Sequence, residues 1–109
     1  NADRKGGHCF VGRDDRVWAV DNGLTFNQDH KLRTVIWDFA GCDVPQGLID
    51  DLVILREGLG RAESEVAGTL SRLLAPPELE ELDRRVEALV IDPVLPTPQS
   101  RRDLPWPWL

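Results

Sequence analysis

Two short apolar runs near the start of the chain constrain its folding more than any other feature. His8-Cys9-Phe10-Val11 and Val17-Trp18-Ala19-Val20 flank the polar stretch Gly12-Arg13-Asp14-Asp15-Arg16. β-prone runs on either side of a Gly/Asp turn predict a β-hairpin. Asp21-Asn22-Gly23 then ends the second strand, because Asn-Gly is a strong turn signal. Folding such a hairpin brings its two ends together. The segment Asn1–His8 therefore meets the segment Val20–Phe26, and Asp3 faces Asp21 from 18 residues away in sequence.

The remainder reads as mainly helical. Leu48, Ile49, Leu52, Val53 and Leu55 recur at helical spacing, and Pro45 suits the start of that helix. Val66, Leu70, Leu73 and Leu74 mark a second helix that Pro76-Pro77 closes off, and Leu79, Leu82, Val86 and Leu89 mark a third. The third opens with Pro and with Glu78, Glu80 and Glu81, which suit the positive N-terminal dipole. Glu80–Arg84 and Glu81–Arg85 are expected i,i+4 ion pairs. Thr34–Ala40 is ambiguous between a strand and a short buried helix. Trp18 and Trp37 are read as core. The expected fold class is thus α+β, a hairpin with its loops followed by about three helices. It divides into residues 1–33, the hairpin with its two loops, and residues 34–98, the helical part of the same unit. Residues 99–109 form a Pro/Trp-rich tail, and most of the prolines lie from position 92 onward. The apolar ending Leu104-Pro105-Trp106-Pro107-Trp108-Leu109 is expected to pack back on the helices or to meet a partner.

Charge narrows the function. The net charge of −6 argues against nucleic-acid binding, which needs a basic face to displace counterions. The balance is uneven, however. Residues 1–33 hold six Lys/Arg against five Asp/Glu, and the rest hold seven Arg against 14 Asp/Glu. The first third is therefore the place to look for an anionic ligand. The two cysteines, Cys9 and Cys42, form no CxxC and read as small buried apolar residues in a reducing, cytoplasmic setting. No apolar run approaches the ~20 residues that span a bilayer. The chain contains no Met, so Asn1 is not read as a translation start, and the chain is expected to be a processed product or a fragment.

Two carboxylates beside a Gly-rich loop suit a divalent cation such as Mg²⁺, which takes a few hard oxygen ligands plus phosphates. Arg4 and Lys5 would lie beside an anionic substrate. Asn1-Ala2-Asp3-Arg4 and Val20-Asp21-Asn22-Gly23-Leu24-Thr25-Phe26 resemble the catalytic and metal-binding loops of phosphatidylinositol 3-/4-kinase-like proteins. The resemblance is closest to the type II phosphatidylinositol 4-kinases and to bacterial relatives. HipA-type kinases share the broader layout. Leu32-Arg33-Thr34-Val35-Ile36-Trp37 and the Trp-Pro-Trp ending also look like the bacterial relatives.

The resemblance implies that Asp3 is the catalytic Asp, that Asp21 binds Mg²⁺, and that Arg4 and Lys5 contact substrate or phosphate. His8 falls where these families carry a second metal-binding Asn. Imidazole is a softer ligand than an amide oxygen and suits Mg²⁺ poorly. His8 is accordingly expected to hydrogen-bond Asp3 or a phosphate, or to favour Mn²⁺. The implied whole is the C-terminal half of a kinase-like phosphotransferase domain, with ATP and Mg²⁺ as cofactors and a hydroxyl-bearing lipid headgroup, protein or small molecule as acceptor. The Gly-rich phosphate loop and nucleotide-pairing Lys of such enzymes are expected upstream in an N-terminal lobe absent from this chain, so this segment alone is expected to be inactive. A pseudokinase or binding module of the same fold is the alternative, and an unrelated helical domain is a third.

Overall fold

In the computed structural model, residues 2–104 are described. Four short strands precede three helices: β1 (Asp3–Arg4), β2 (Cys9–Val11), β3 (Val17–Ala19), β4 (Arg33–Thr34), α1 (Gln46–Leu59), α2 (Glu65–Leu73) and α3 (Pro76–Ile91). This is a small α+β unit, as the patterning predicts.

The hairpin forms where expected. β2 and β3 pair antiparallel, with Cys9 opposite Ala19, Phe10 opposite Trp18 and Val11 opposite Val17. The Asp15 N–H donates to the Gly12 carbonyl (3.1 Å), and Gly12 N–H to that of Arg16 (2.8 Å). Asp15 adopts a left-handed conformation (φ 56°), which short polar residues tolerate. The Trp18 indole N–H donates to Asp14 Oδ1 (3.2 Å) and clips the turn. Trp18 is not core: half of its surface is exposed (50%). A two-stranded ribbon has no second layer of its own to cover its large side chains.

A second ribbon was not legible in the sequence. β1 pairs with β4 in parallel, Asp3 opposite Arg33 and Arg4 opposite Thr34. The ambiguous Thr34–Ala40 segment is therefore neither a full strand nor a helix. Two residues at Arg33–Thr34 join β1, and the chain then turns at 38–41. Thr34 is buried, and its hydroxyl donates to the Arg4 carbonyl (2.7 Å) while accepting from Ile36 N–H (3.1 Å). Trp37 is only half-buried, and its indole nitrogen has no hydrogen-bond partner among the described residues.

The helices form where the apolar spacing places them. Pro45 is the N-cap of α1 rather than its first residue. Ser64 caps α2, accepting from Ala67 N–H (3.2 Å) and donating to the Gly58 carbonyl of α1 (2.5 Å). The α1–α2 approach is tight enough that a Cβ on Gly58 would lie 2.6 Å from Val66 Cγ1. Arg56 of α1 reaches Asp83 (3.6 Å) and Glu87 (2.6 Å) of α3. On α3, Arg85 pairs with Glu81 as expected (3.4 Å), but Arg84 also turns to Glu81 (2.7 Å) rather than to Glu80. Glu81 is the buried carboxylate of that helix, so it draws both cations.

The segment after α3 does not run free. Gly41 N–H donates to Leu95 O (3.0 Å), Leu95 N–H to Cys42 O (2.9 Å) and Val44 N–H to Pro93 O (2.7 Å). Residues 93–95 thus close against the entry to α1. Cys42 is exposed rather than buried, and Cys9 is half-buried; both are free thiols. The Trp-Pro-Trp ending lies outside the described residues, as does Asn1. No described helix is long and apolar enough to cross a membrane.

The core is thin. Among the described residues, Ala2, Ile49 and Val86 are the buried apolar ones. The chain exposes 8197 Å², where a compact monomer of 12.3 kDa exposes about 6,100 Å². Phe10, Val11, Val17 and Trp18 carry part of that excess on both faces of the hairpin.

Candidate functional site

The closing of the hairpin positions the reactive residues. Val20 N–H donates to His8 O (2.8 Å), extending the β2–β3 ladder by one pair. Beyond that pair the chain ends separate into two loops, and backbone bonds tie them back together. Ala2 N–H donates to Leu24 O (2.9 Å), and Arg33 N–H donates to Ala2 O (2.9 Å). Arg4 straps the loops: one guanidinium nitrogen donates to the Val20 carbonyl, and the other to Asn22 Oδ1 (2.6 Å). The segments that carry Asp3 and Asp21 are thereby laced together, with the Asp3 carboxylate on Arg33 and the Asp21 carboxylate on His8.

Asp21 is exposed at this junction, with 63% of its side chain accessible, and it sits in the left-handed region (φ 57°). The turn itself comes later than the Asn-Gly pair suggests. It spans Asn22–Thr25, closed by Thr25 N–H to Asn22 O (3.2 Å), and Phe26 follows at φ 62°. A bulky aromatic is rarely found there.

His8 bonds Asp21, not Asp3: its Nε2 lies 3.2 Å from Asp21 Oδ2. The other ring nitrogen, Nδ1, accepts the Lys5 backbone N–H (3.4 Å). In the neutral ring an accepting Nδ1 leaves the proton on Nε2. His8 therefore donates to Asp21 and orients the carboxylate.

Asp3 is the more sheltered carboxylate, with 16% of its side chain accessible. Arg33 Nε–H donates to its Oδ1 (3.0 Å). That hydrogen bond holds the carboxyl below the usual range. Partial burial opposes it, and the charges of Arg33, Lys5 and Lys31 add to it. Asp3 is thus firmly ionised at neutral pH.

Two residues matter here that reading for function did not single out. Arg33 pairs with Asp3 only because β4 lies beside β1, a pairing with no local signal. Arg85 of α3 reaches across 56 and more residues to donate to the Asn27 and Asp29 carbonyls. Among the described residues, no group of three or more His, Cys, Asp and Glu side chains converges as a metal-ligand set. A shallow groove lies elsewhere, between α1 and α2, lined by Ile54, Gly58, Arg61, Val66 and Leu70. It contains none of the loop residues.

No family model matches the chain, and no solved structure matches it. It is similar to Protein Rv2133c of Mycobacterium tuberculosis, with 39% identity over 107 residues that cover 98% of this chain and 37% of that protein. The chain therefore spans little more than a third of the length of this relative.

Proposed function

We propose that this chain is the C-terminal part of a kinase-like, ATP-dependent phosphotransferase, with Asp3 as the catalytic carboxylate and Asp21 as the metal-binding one. The observation that carries the reading is the lacing of the two loops. Arg4, the residue after Asp3, bonds Val20 and Asn22 on either side of Asp21, and the His8 ring lies against the Asp21 carboxylate.

The residues suit Mg²⁺. This ion takes one or two protein carboxylates and completes its shell with water and substrate phosphates. Asp21 offers an exposed hard-oxygen donor, and the softer imidazole of His8 is engaged in holding it. With ATP bound, Mg²⁺ would neutralise charge on the phosphates of the transferred group. Asp3, kept ionised by Arg33, accepts a hydrogen bond from the acceptor hydroxyl and aligns its oxygen. A carboxylate of lowered basicity suits this orienting task in a loose transition state, where positioning outweighs early proton removal. Arg4 is engaged with Val20 and Asn22, so it maintains the site, and Lys5 is left as the nearer candidate for a phosphate contact.

One observation favours a second reading, a pseudokinase or binding module. The Asp3 carboxylate is mostly covered and already bonded to Arg33. In that case nucleotide binds without turnover.

Phosphoryl transfer by the intact protein decides between them. Asp3→Asn and Asp21→Asn should each lower turnover by about two or more orders of magnitude, the scale of a lost catalytic group. Parental rates in both variants would remove the assignment. Nucleotide binding with no turnover in the parent would establish the second reading.

A further inference from the structure

The loop that carries Asp21 holds two left-handed residues, Asp21 (φ 57°), where Asp is tolerated, and Phe26 (φ 62°), where a bulky aromatic is rarely found. A bulky residue held there persists only where the surroundings over-determine it. Something must therefore pin the loop at both ends. At its start Arg4 grips Val20 and Asn22. At its end Arg85 of α3 donates to the carbonyls of Asn27 and Asp29 (3.0 Å to the latter). Among the described residues these are the hydrogen bonds that join this loop to the helices.

Arg85 is itself held. Its Nε lies 3.4 Å from Oε1 of Glu81, which is 4% exposed. A buried carboxylate needs cationic partners, and a guanidinium locked against it points its remaining N–H groups in a fixed direction. Arg84 serves the other oxygen of Glu81 (2.7 Å) and, among the described residues, makes no hydrogen bond to the loop.

We propose that Arg85 is a positioning residue for Asp21: helix α3, through the Glu81–Arg85 pair, sets the conformation of the loop 21–29 and so the aim of the Asp21 carboxylate at His8. Its functional weight rests on the metal role assigned to Asp21 above, but the positioning is measurable without metal.

The test uses the intact protein, with the His8 ring signals in NMR and amide exchange across residues 21–29 as readouts. Arg85→Lys keeps a cation beside Glu81 but loses the fork that reaches two carbonyls. It should shift or split the His8 ring signals and speed exchange in 21–29 about tenfold or more, as expected for lost hydrogen bonds to a charged group. The melting temperature should change little. Arg84→Gln is the control, since it disturbs the same buried carboxylate without touching the loop. It should lower the melting temperature and leave His8 and loop exchange at their parental values. Unchanged His8 signals and loop exchange in Arg85→Lys would overturn the proposal, as would an equal response in Arg84→Gln. Mn²⁺ titration separates the two claims. If Mn²⁺ with ATP fails to broaden the parental His8 signals of the intact protein, the metal role of Asp21 fails, and the His8 shifts and loop exchange still decide the positioning.

Discussion

Asp21 allows its chemistry to be separated from its backbone. Its left-handed conformation (φ 57°) is tolerated by Asp, Asn and Gly and resisted by Ala, at a cost of about 1–2 kcal/mol. Its side chain is 63% exposed and accepts a hydrogen bond from His8, so the contribution of that contact to stability is small. Asp21→Asn should therefore leave the fold intact, with a melting temperature within about 3 °C of the parent. Asp21→Ala should lower it by roughly 4–16 °C, since 1 kcal/mol corresponds to about 4–8 °C in a domain of this size. Asp21→Gly relieves the φ penalty and should fall between them. Turnover of the intact protein should follow a different order. All three variants lose the carboxylate, so all three should fall by about two or more orders of magnitude. The assays are calorimetry on this chain and phosphoryl transfer by the intact protein. An Asp21→Ala variant as stable as Asp21→Asn would refute the backbone argument. Full turnover in Asp21→Asn would refute the chemical one.

Other substitutions probe the neighbouring contacts. His8→Asn supplies an amide that can hold Asp21 or meet a hard cation, and should keep metal affinity, measured by Mn²⁺ and Mg²⁺ titration. His8→Leu should weaken that affinity with little change in melting temperature, and equal binding in all three proteins would make His8 structural. The Asp3–Arg33 bond lowers the Asp3 pKa, so its stabilisation is complete above about pH 4, the unfolded value, and is lost as pH falls through the lower folded value. Asp3→Asn should therefore flatten the acid limb of the stability–pH curve, and an unchanged limb would count against the bond. Gly58→Ala gains helix propensity of about 1 kcal/mol but forces a Cβ to within 2.6 Å of Val66. It should destabilise by a net ~0–2 kcal/mol in urea unfolding, and a stabilised variant would show that α1 and α2 do not approach so closely.

Local chemistry in the sequence determined much of this protein. The Gly/Asp turn between two apolar runs specifies the hairpin, because its conformational demands are met within five residues. The apolar spacing and the prolines at 45, 76 and 77 specify three helices for the same reason. The meeting of the Asp3 and Asp21 loops follows from hairpin closure alone. Tertiary structure decided the rest. A parallel pair such as β1–β4 requires a crossover and leaves no periodic trace in two residues, so the Arg33–Asp3 bond was invisible beforehand. The partner of His8, Asp21 rather than Asp3, depended on side-chain directions at the end of the ribbon. Trp18 read as core because aromatic residues bury large areas. Its exposure reflects what packs beside the ribbon, which no residue within the hairpin encodes. The reach of Arg85 to Asn27 and Asp29 is the clearest case. On its own helix it is half of an i,i+4 pair, and only the packing of α3 against the loop turns that pair into an anchor for a site more than 50 residues earlier.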